Sequence, residues 1–231
     1  MPRHAMTSPL KPRPLAVFFD LDGTLADTAA DLAAPVNAMR QERGLPALPL
    51  DVLRPFASHG ARGLLGQGLG VRPEDDGYEA LRLDFLARYE SAMVVHTALF
   101  DGMHEVLNGL DVHGIRWGVV SNKVERYVRP IMAALGVLNR SVSAIGGDTT
   151  PHPKPHPAPL LHAAQLAGVR PQDCVYVGDD LRDIEAGRAA GMRTIAAGYG
   201  FCGNGTPPIH WGADALIQAP AELHGLLQLH A

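Results

Sequence analysis

At 231 residues, 46% of them apolar and 19% charged, the chain can bury a substantial core and fits either one large domain or a domain carrying a smaller insert. A formal net charge of -4 leaves no basic excess of the kind that draws proteins to nucleic acid or anionic lipid, so neither is an expected partner. No apolar run approaches the roughly 20 residues of a membrane span, and two cysteines without zinc-type spacing to the histidines suit a reducing cytoplasm, where the protein is expected.

Residues 1–14 are Pro-rich and polar and read as a disordered leader. Leu15 to Phe19 is a short, continuous apolar run followed at once by Asp-Gly turn chemistry, the pattern of a strand buried on both faces. Between residues 27 and 96 helical periodicity recurs in Asp31 to Gln41, Leu50 to Ser58 and Tyr78 to Tyr89, with no convincing strand among them. Within that stretch Ser58 to Gly63 reads as a glycine-bearing loop with one fixed cation, Arg62. Strand and helix patterns then alternate: helix Met103 to Asp111, strand Ile115 to Val120, helix Glu125 to Leu135, strand Ala144 to Ile145, helix Pro159 to Ala167. Strand Cys174 to Val177, helix Asp183 to Ala190 and strand Arg193 to Ala197 continue the series, and Trp211 to Asp214 reads as the approach to a late strand. Several of these helices end at glycine, as helices commonly do.

This alternation predicts an α/β fold: a doubly wound, Rossmann-like parallel sheet core from residues 15–26 and 97–231, with an all-helical cap, residues 27–96, inserted after the first strand. Ligands in such sheets sit beyond the carboxyl ends of the strands, and here each predicted strand end carries a polar residue or glycine. An insert that leaves the chain just after the first strand's loop would stand over that face.

Asp20 and Asp22 follow the first strand in Asp20-Leu21-Asp22-Gly23-Thr24-Leu25. Carboxylates two residues apart can point the same way, and Gly23 lets the backbone turn sharply beside a ligand. Singly, Asp20 or Asp179 reads as a helix cap, Ser121-Asn122 as a turn and Lys154 as a solvated loop charge. In order they are more specific: Asp-x-Asp-Gly-Thr-Leu after an apolar strand, Ser121-Asn122 after a second, Lys154-Pro155, then Gly178-Asp179-Asp180-Leu181-Arg182-Asp183. This set resembles the haloacid-dehalogenase superfamily of phosphatases, and the likeness spans most of the chain.

The resemblance implies a phosphomonoester hydrolase that works through an aspartyl-phosphate. Asp20 is its expected nucleophile, and Asp22 its acid and base. Mg2+ is the expected cofactor, held by Asp20, the backbone carbonyl of Asp22 and Asp179, with Asp183 orienting metal-bound water; whether Asp180 or Asp183 lies closer to the metal stays open. Ser121, Asn122 and Lys154 would hold the phosphoryl group, and Arg62 the rest of the substrate. These types suit the chemistry, because phosphoryl transfer is accelerated mainly by positioning and by countercharge on the phosphoryl oxygens.

The place of the insert resembles the subclass that includes phosphoglycolate phosphatase, while residues 78–89 and 178–187 look like the N-acetylmuramic acid 6-phosphate phosphatases. The expected partner is therefore a small phosphate monoester, bound by a monomer or homodimer. A sugar phosphomutase of the β-phosphoglucomutase type and a non-catalytic binding module on the same fold are the alternatives.

Overall fold

A computed structural model gives the architecture, with residues 9–203 and 205–229 described. Strand β1 (Ala16–Phe19) runs through a tight turn to β2 (Ala26–Asp27). Helices α1 (Ala29–Gln41), α2 (Leu50–Ala57), α3 (Gly60–Leu69) and α4 (Tyr78–Ser91) follow, and β3 (Ala98–Leu99) closes the segment. The chain continues as α5 (Met103–Val112), β4 (Arg116–Val120), α6 (Glu125–Ala134), β5 (Ala144–Ile145) and α7 (Ala158–Ala167). It ends with β6 (Cys174–Gly178), α8 (Leu181–Ala189), β7 (Arg193–Ala197), β8 (Ala215–Ile217) and α9 (Leu223–Leu226).

Six strands form one parallel sheet in the order β5-β4-β1-β6-β7-β8. Successive side chains of a strand point to opposite faces, so a sheet covered on both sides needs apolar residues at every position. Val17 and Phe19 pack with Leu107 and Leu110 of α5 and Leu223 of α9, whereas Ala16 and Phe18 pack with Leu160 and Ala163 of α7 and Ala186 of α8. The doubly wound sheet expected from the alternation is present. Because β1 lies between β4 and β6, the chain reverses its winding there, and a crevice opens beyond the carboxyl ends of these three strands.

The short strands β2 and β3 pair antiparallel, outside the main sheet, and so bring both ends of the helical segment together. Just inside them, the buried carboxylate of Asp31 on α1 accepts the amides of Val95, His96 and Thr97 at 2.9–3.0 Å and the Thr97 hydroxyl at 2.7 Å. One side chain thus ties the returning chain to the first helix. The helical segment's core, including Met39, Leu53, Leu64 and Phe85, is continuous with that on one face of the sheet.

Two expectations need correction. Of the glycine-bearing loop expected at Ser58 to Gly63, only Ser58 and His59 form a turn, and Gly60 begins α3, whose Leu64 and Leu65 are fully buried. Glycine lowers helix propensity by about 1 kcal/mol per residue, but here it serves close packing: a Cβ on Gly68 would run into Val36 of α1, and one on Gly63 into His59. Of the leader, residues 1–8 lie outside the described residues, while 9–14 are ordered against the core. Leu10 donates its amide to the Leu226 carbonyl (2.9 Å) and accepts from the Gln228 side chain (3.0 Å), and Arg193 donates to the Pro12 carbonyl (2.7 Å). The partly buried Leu10 side chain packs on the main core, which gives this polar segment an apolar anchor.

Asp31→Ala removes a charged acceptor shared by several donors, each such hydrogen bond contributing about 1.5–3 kcal/mol. The variant should lose about 2–3 kcal/mol in urea unfolding. An unchanged midpoint would mean that the returning chain does not depend on this anchor.

Candidate active site

The cleft beyond β1, β4 and β6 has a volume of about 180 Å³, with Asp20, Asp22, Ser121, Lys154 and Asp183 in its wall and Ser58, His59 and Gly60 closing it from the helical segment. Asp20, Ser121 and Asp179 stand where parallel strands have just ended, Lys154 comes from the loop after β5 and Asp183 from the first turn of α8. The loop after β1 is held tight by Gly23, whose φ of +83° is left-handed and whose missing side chain leaves room for the Asp179 carboxylate.

Asp20, Asp179 and Asp183 offer carboxylate oxygens that all lie within 4.8 Å of one another. Asp20 Oδ1 accepts the Leu21 amide at 2.7 Å and lies 3.1 Å from Lys154 Nζ, and among the described residues no hydrogen bond reaches Oδ2. Asp179 is fully buried and accepts the Thr24 hydroxyl (3.0 Å) and the Phe201 amide (2.8 Å). Thr24 therefore orients a cluster carboxylate. Asp183 Oδ1 meets Lys154 Nζ at 2.7 Å, and its Oδ2 accepts the Asp180 amide at 3.1 Å.

Asp180 serves the helix instead. It caps α8 by accepting the Arg182 amide at 2.9 Å and binds the Arg182 guanidinium with both oxygens at 2.8 Å. Asp183, one turn into the helix, is the one that joins the cluster.

The electrostatics follow from burial. Loss of water pushes the Asp179 carboxyl well above its usual range, and the neighbouring charges of Asp20 and Asp183 add to the effect. Burial likewise raises Asp183 to about 7 although Lys154 opposes it. Lys154 keeps its proton because Asp183 and Asp20 more than offset the cost of burying its charge. Its Nζ also approaches Val120 O at 3.0 Å and the Tyr176 hydroxyl at 2.7 Å, so three N–H groups serve four acceptors around one fixed point.

Four aspartates and three fixed cations line the cleft, and Asp179 lies buried within the cluster, an excess of two negative charges when every carboxyl is ionised. An all-oxygen carboxylate set of that charge suits a hard divalent cation.

The structure distributes the other expected site residues unevenly. Ser121 is buried at the end of β4, and its hydroxyl accepts the Lys123 amide at 3.3 Å. Asn122 lines the cleft, but both ends of its amide are engaged with the Lys154 backbone, Nδ2 donating to the carbonyl (2.8 Å) and Oδ1 accepting the amide (2.9 Å). It acts as a brace for Lys154. Arg62 is exposed on α3 and does not line the cleft. The helix carries it away from a position that a loop would have left open.

Residues 17–197 match the family model for haloacid dehalogenase-like hydrolases. The chain belongs to that family. Among its relatives, the N-acetylmuramic acid 6-phosphate phosphatase of Pseudomonas putida is 45% identical over 212 residues, 92% of this chain and 95% of that protein. The phosphoglycolate phosphatase of Xanthomonas campestris pv. campestris is 47% identical over 210 residues, 91% of this chain and 95% of that protein. A crystal structure from Haemophilus somnus 129PT, described as a predicted phosphoglycolate phosphatase, superposes with a TM-score of 0.80 at 26% identity, covering 93% of this chain and 98% of that one.

Four residues in or beside the cleft of this family member, Lys123, Thr28, Arg182 and His59, received no role from the motifs. Lys123 Nζ holds both oxygens of Asp22 at 2.9 Å, and Thr28 donates its hydroxyl to Asp22 Oδ1 at 2.6 Å. Arg182 reaches from the core to the Ser58 carbonyl of the helical segment at 2.8 Å. His59, partly buried beside it, has its pKa lowered by loss of water and by the Arg182 charge, which favours the neutral ring. The adjacency of Lys123 to Ser121-Asn122 was a usable signal in the sequence, but the partners of Arg182 and His59 emerge only from the fold.

The raised carboxyl values predict a pH-dependent response to metal. Asp183 takes up a proton on folding because its pKa rises from 3.8 to about 7, so the metal-free protein loses stability as pH rises through that interval. A divalent cation binds the ionised form and removes the penalty. Addition of Mg2+ should therefore raise the melting temperature more at about pH 8 than at about pH 5.5. An equal rise at both would contradict a carboxylate site.

Proposed function

We propose that this chain is a magnesium-dependent phosphomonoester hydrolase that attacks its substrate with Asp20. The observation that carries the reading is Asp20 Oδ2, which accepts no hydrogen bond from the described residues, in a cleft where its other oxygen is pinned by an amide and a lysine. Asp20, Asp179 and the Asp22 carbonyl would hold Mg2+, with Asp183 fixing water on it. Bound there, the ion supplies charge that offsets the oxygens of the transferring phosphoryl group.

The chain's own residues account for the rest. Ser121 and Lys154 hold the phosphoryl oxygens while Asp20 Oδ2 forms a bond to phosphorus and the bond from phosphorus to the ester oxygen breaks. Asp22 gives a proton to the departing alcohol, then takes one from the water that attacks the aspartyl-phosphate. Cleavage of the bond from phosphorus to Asp20 releases inorganic phosphate and restores the carboxylate. Residues 27–96 act as a cap over this step and, with Ser58 and His59 facing the cleft, select the remainder of the substrate.

The relatives make 2-phosphoglycolate and N-acetylmuramic acid 6-phosphate the first substrates to test. Both carry a carboxylate as well as the ester, which suits a cleft whose rim holds Arg182 and His59. Cytoplasmic location and a monomeric or dimeric state complete the reading.

The test is phosphate release from these esters by the wild type and by Asp20→Asn. The variant should fold, as judged by far-ultraviolet circular dichroism, and lose at least about a thousandfold in kcat, because the attacking group is gone. Turnover within about tenfold of wild type would assign attack to another group. Arg62→Ala should change kcat/KM less than about threefold on either ester, as for a surface substitution. A loss of about tenfold or more would return Arg62 to the substrate.

A further inference from the structure

Asp22 must present its carboxyl to a leaving oxygen, yet short side chains on a turn rotate freely unless they are held. Thr28 takes one oxygen, and among the described residues Lys123 alone spans both. The lysine's side chain is 7% exposed, and its partner's is 15% exposed, so water competes weakly for the pair. Lys123 is itself covered from the helical segment: its Nζ lies 4.7 Å from the ring centroid of Tyr89, in the last turn of α4. Tyr89 is buried, its hydroxyl makes no hydrogen bond of ordinary geometry among the described residues although it interacts with the Lys123 ammonium, and its ring stands edge-on to Tyr127 of α6 at 5.7 Å. The ring covers the cation whether or not the hydroxyl takes part.

We propose that Lys123 is a positioning residue that aims Asp22 at the leaving group, and that Tyr89 couples this aim to closure of the helical segment. The inference rests on the hydrolase reading. Asp22 belongs to the loop after β1, Lys123 to the loop after β4, and Tyr89 to the segment carried between β2 and β3. If that segment swings away, the ring leaves the ammonium, water reaches the Lys123–Asp22 pair, and the carboxyl loses its fixed direction. Proton delivery is then tied to an enclosed substrate, which matters because an open site would expose the reacting phosphoryl group to water.

Leaving groups separate positioning from a grip on phosphate. Glycolate or a sugar hydroxyl must receive a proton as it departs, whereas p-nitrophenolate leaves without one. The experiment measures the first turnover, with enzyme in excess and Mg2+ present, as alcohol or nitrophenol release. It compares p-nitrophenyl phosphate with whichever of the two alkyl esters wild type handles better, and Asp22→Asn provides the reference. Lys123→Met should slow alcohol release about tenfold to a hundredfold and nitrophenol release less than about threefold, because a misdirected acid forfeits much of the 10² to 10⁴ that acid catalysis supplies. Tyr89→Leu should show the same skew at about threefold to tenfold, the range of a partly desolvated cation–ring contact, and Tyr89→Phe should restore wild-type behaviour.

Equal slowing of both esters by Lys123→Met would make Lys123 a phosphate ligand or a folding residue, and no slowing would make it idle; either overturns the inference. If Lys123→Met does not fold, the Tyr89 pair decides, and a Tyr89→Leu variant without the skew overturns it. Wild type inactive on all esters would remove the hydrolase reading itself, whereas an active wild type with a skewed Asp22→Asn and an unskewed Lys123→Met removes the inference alone.

Discussion

Three carboxylates forced into mutual contact at the mouth of a parallel sheet set the terms for the rest of this molecule. Asp20, Asp179 and Asp183 crowd together, and burial makes the charges of Asp179 and Asp183 harder to sustain. The fold tolerates them because each is individually restrained and because Lys154 stands between two of them. Asn122, the Tyr176 hydroxyl and the Val120 carbonyl fix that lysine in turn. The carboxylates that remain form an all-oxygen set that could hold a divalent cation.

The helical segment answers a different constraint. Phosphoryl transfer needs an enclosed site, but substrate must enter and product must leave. Two short paired strands carry the segment, and the Asp31 anchor makes the returning chain part of the first helix. Besides the apolar core that it shares with one face of the sheet, its contacts beside the cleft are polar or aromatic: Arg182 with Ser58, Arg54 with the Phe201 ring, Tyr89 with Lys123 and Tyr127.

What the sequence reveals follows from how local the information is. The strands before Asp20, Ser121 and Asp179 are continuous apolar runs, so their ends, and the residues placed there, can be read directly. Strands β2 and β3 have two residues each, too short for any period to register. Helix α3 is obscured by its glycines, whose role in close approach to α1 becomes visible only in three dimensions. The pairing of Lys123 with Asp22 joins residues 101 apart, and that of Arg182 with Ser58 residues 124 apart. No local rule links such positions. Asn122 illustrates the remaining difficulty: its residue type suits a phosphate, but the fold spends its amide on the backbone of Lys154.

The central claim, covalent attack by Asp20, is tested most directly by trapping. Wild type mixed with saturating p-nitrophenyl phosphate and Mg2+, quenched in acid within the first turnovers and digested, should yield a phosphorylated peptide containing Asp20, detected by mass spectrometry and discharged by hydroxylamine as an acyl phosphate is. Phosphate release without any phosphorylated peptide, or with the phosphoryl group on a different residue, would contradict the account.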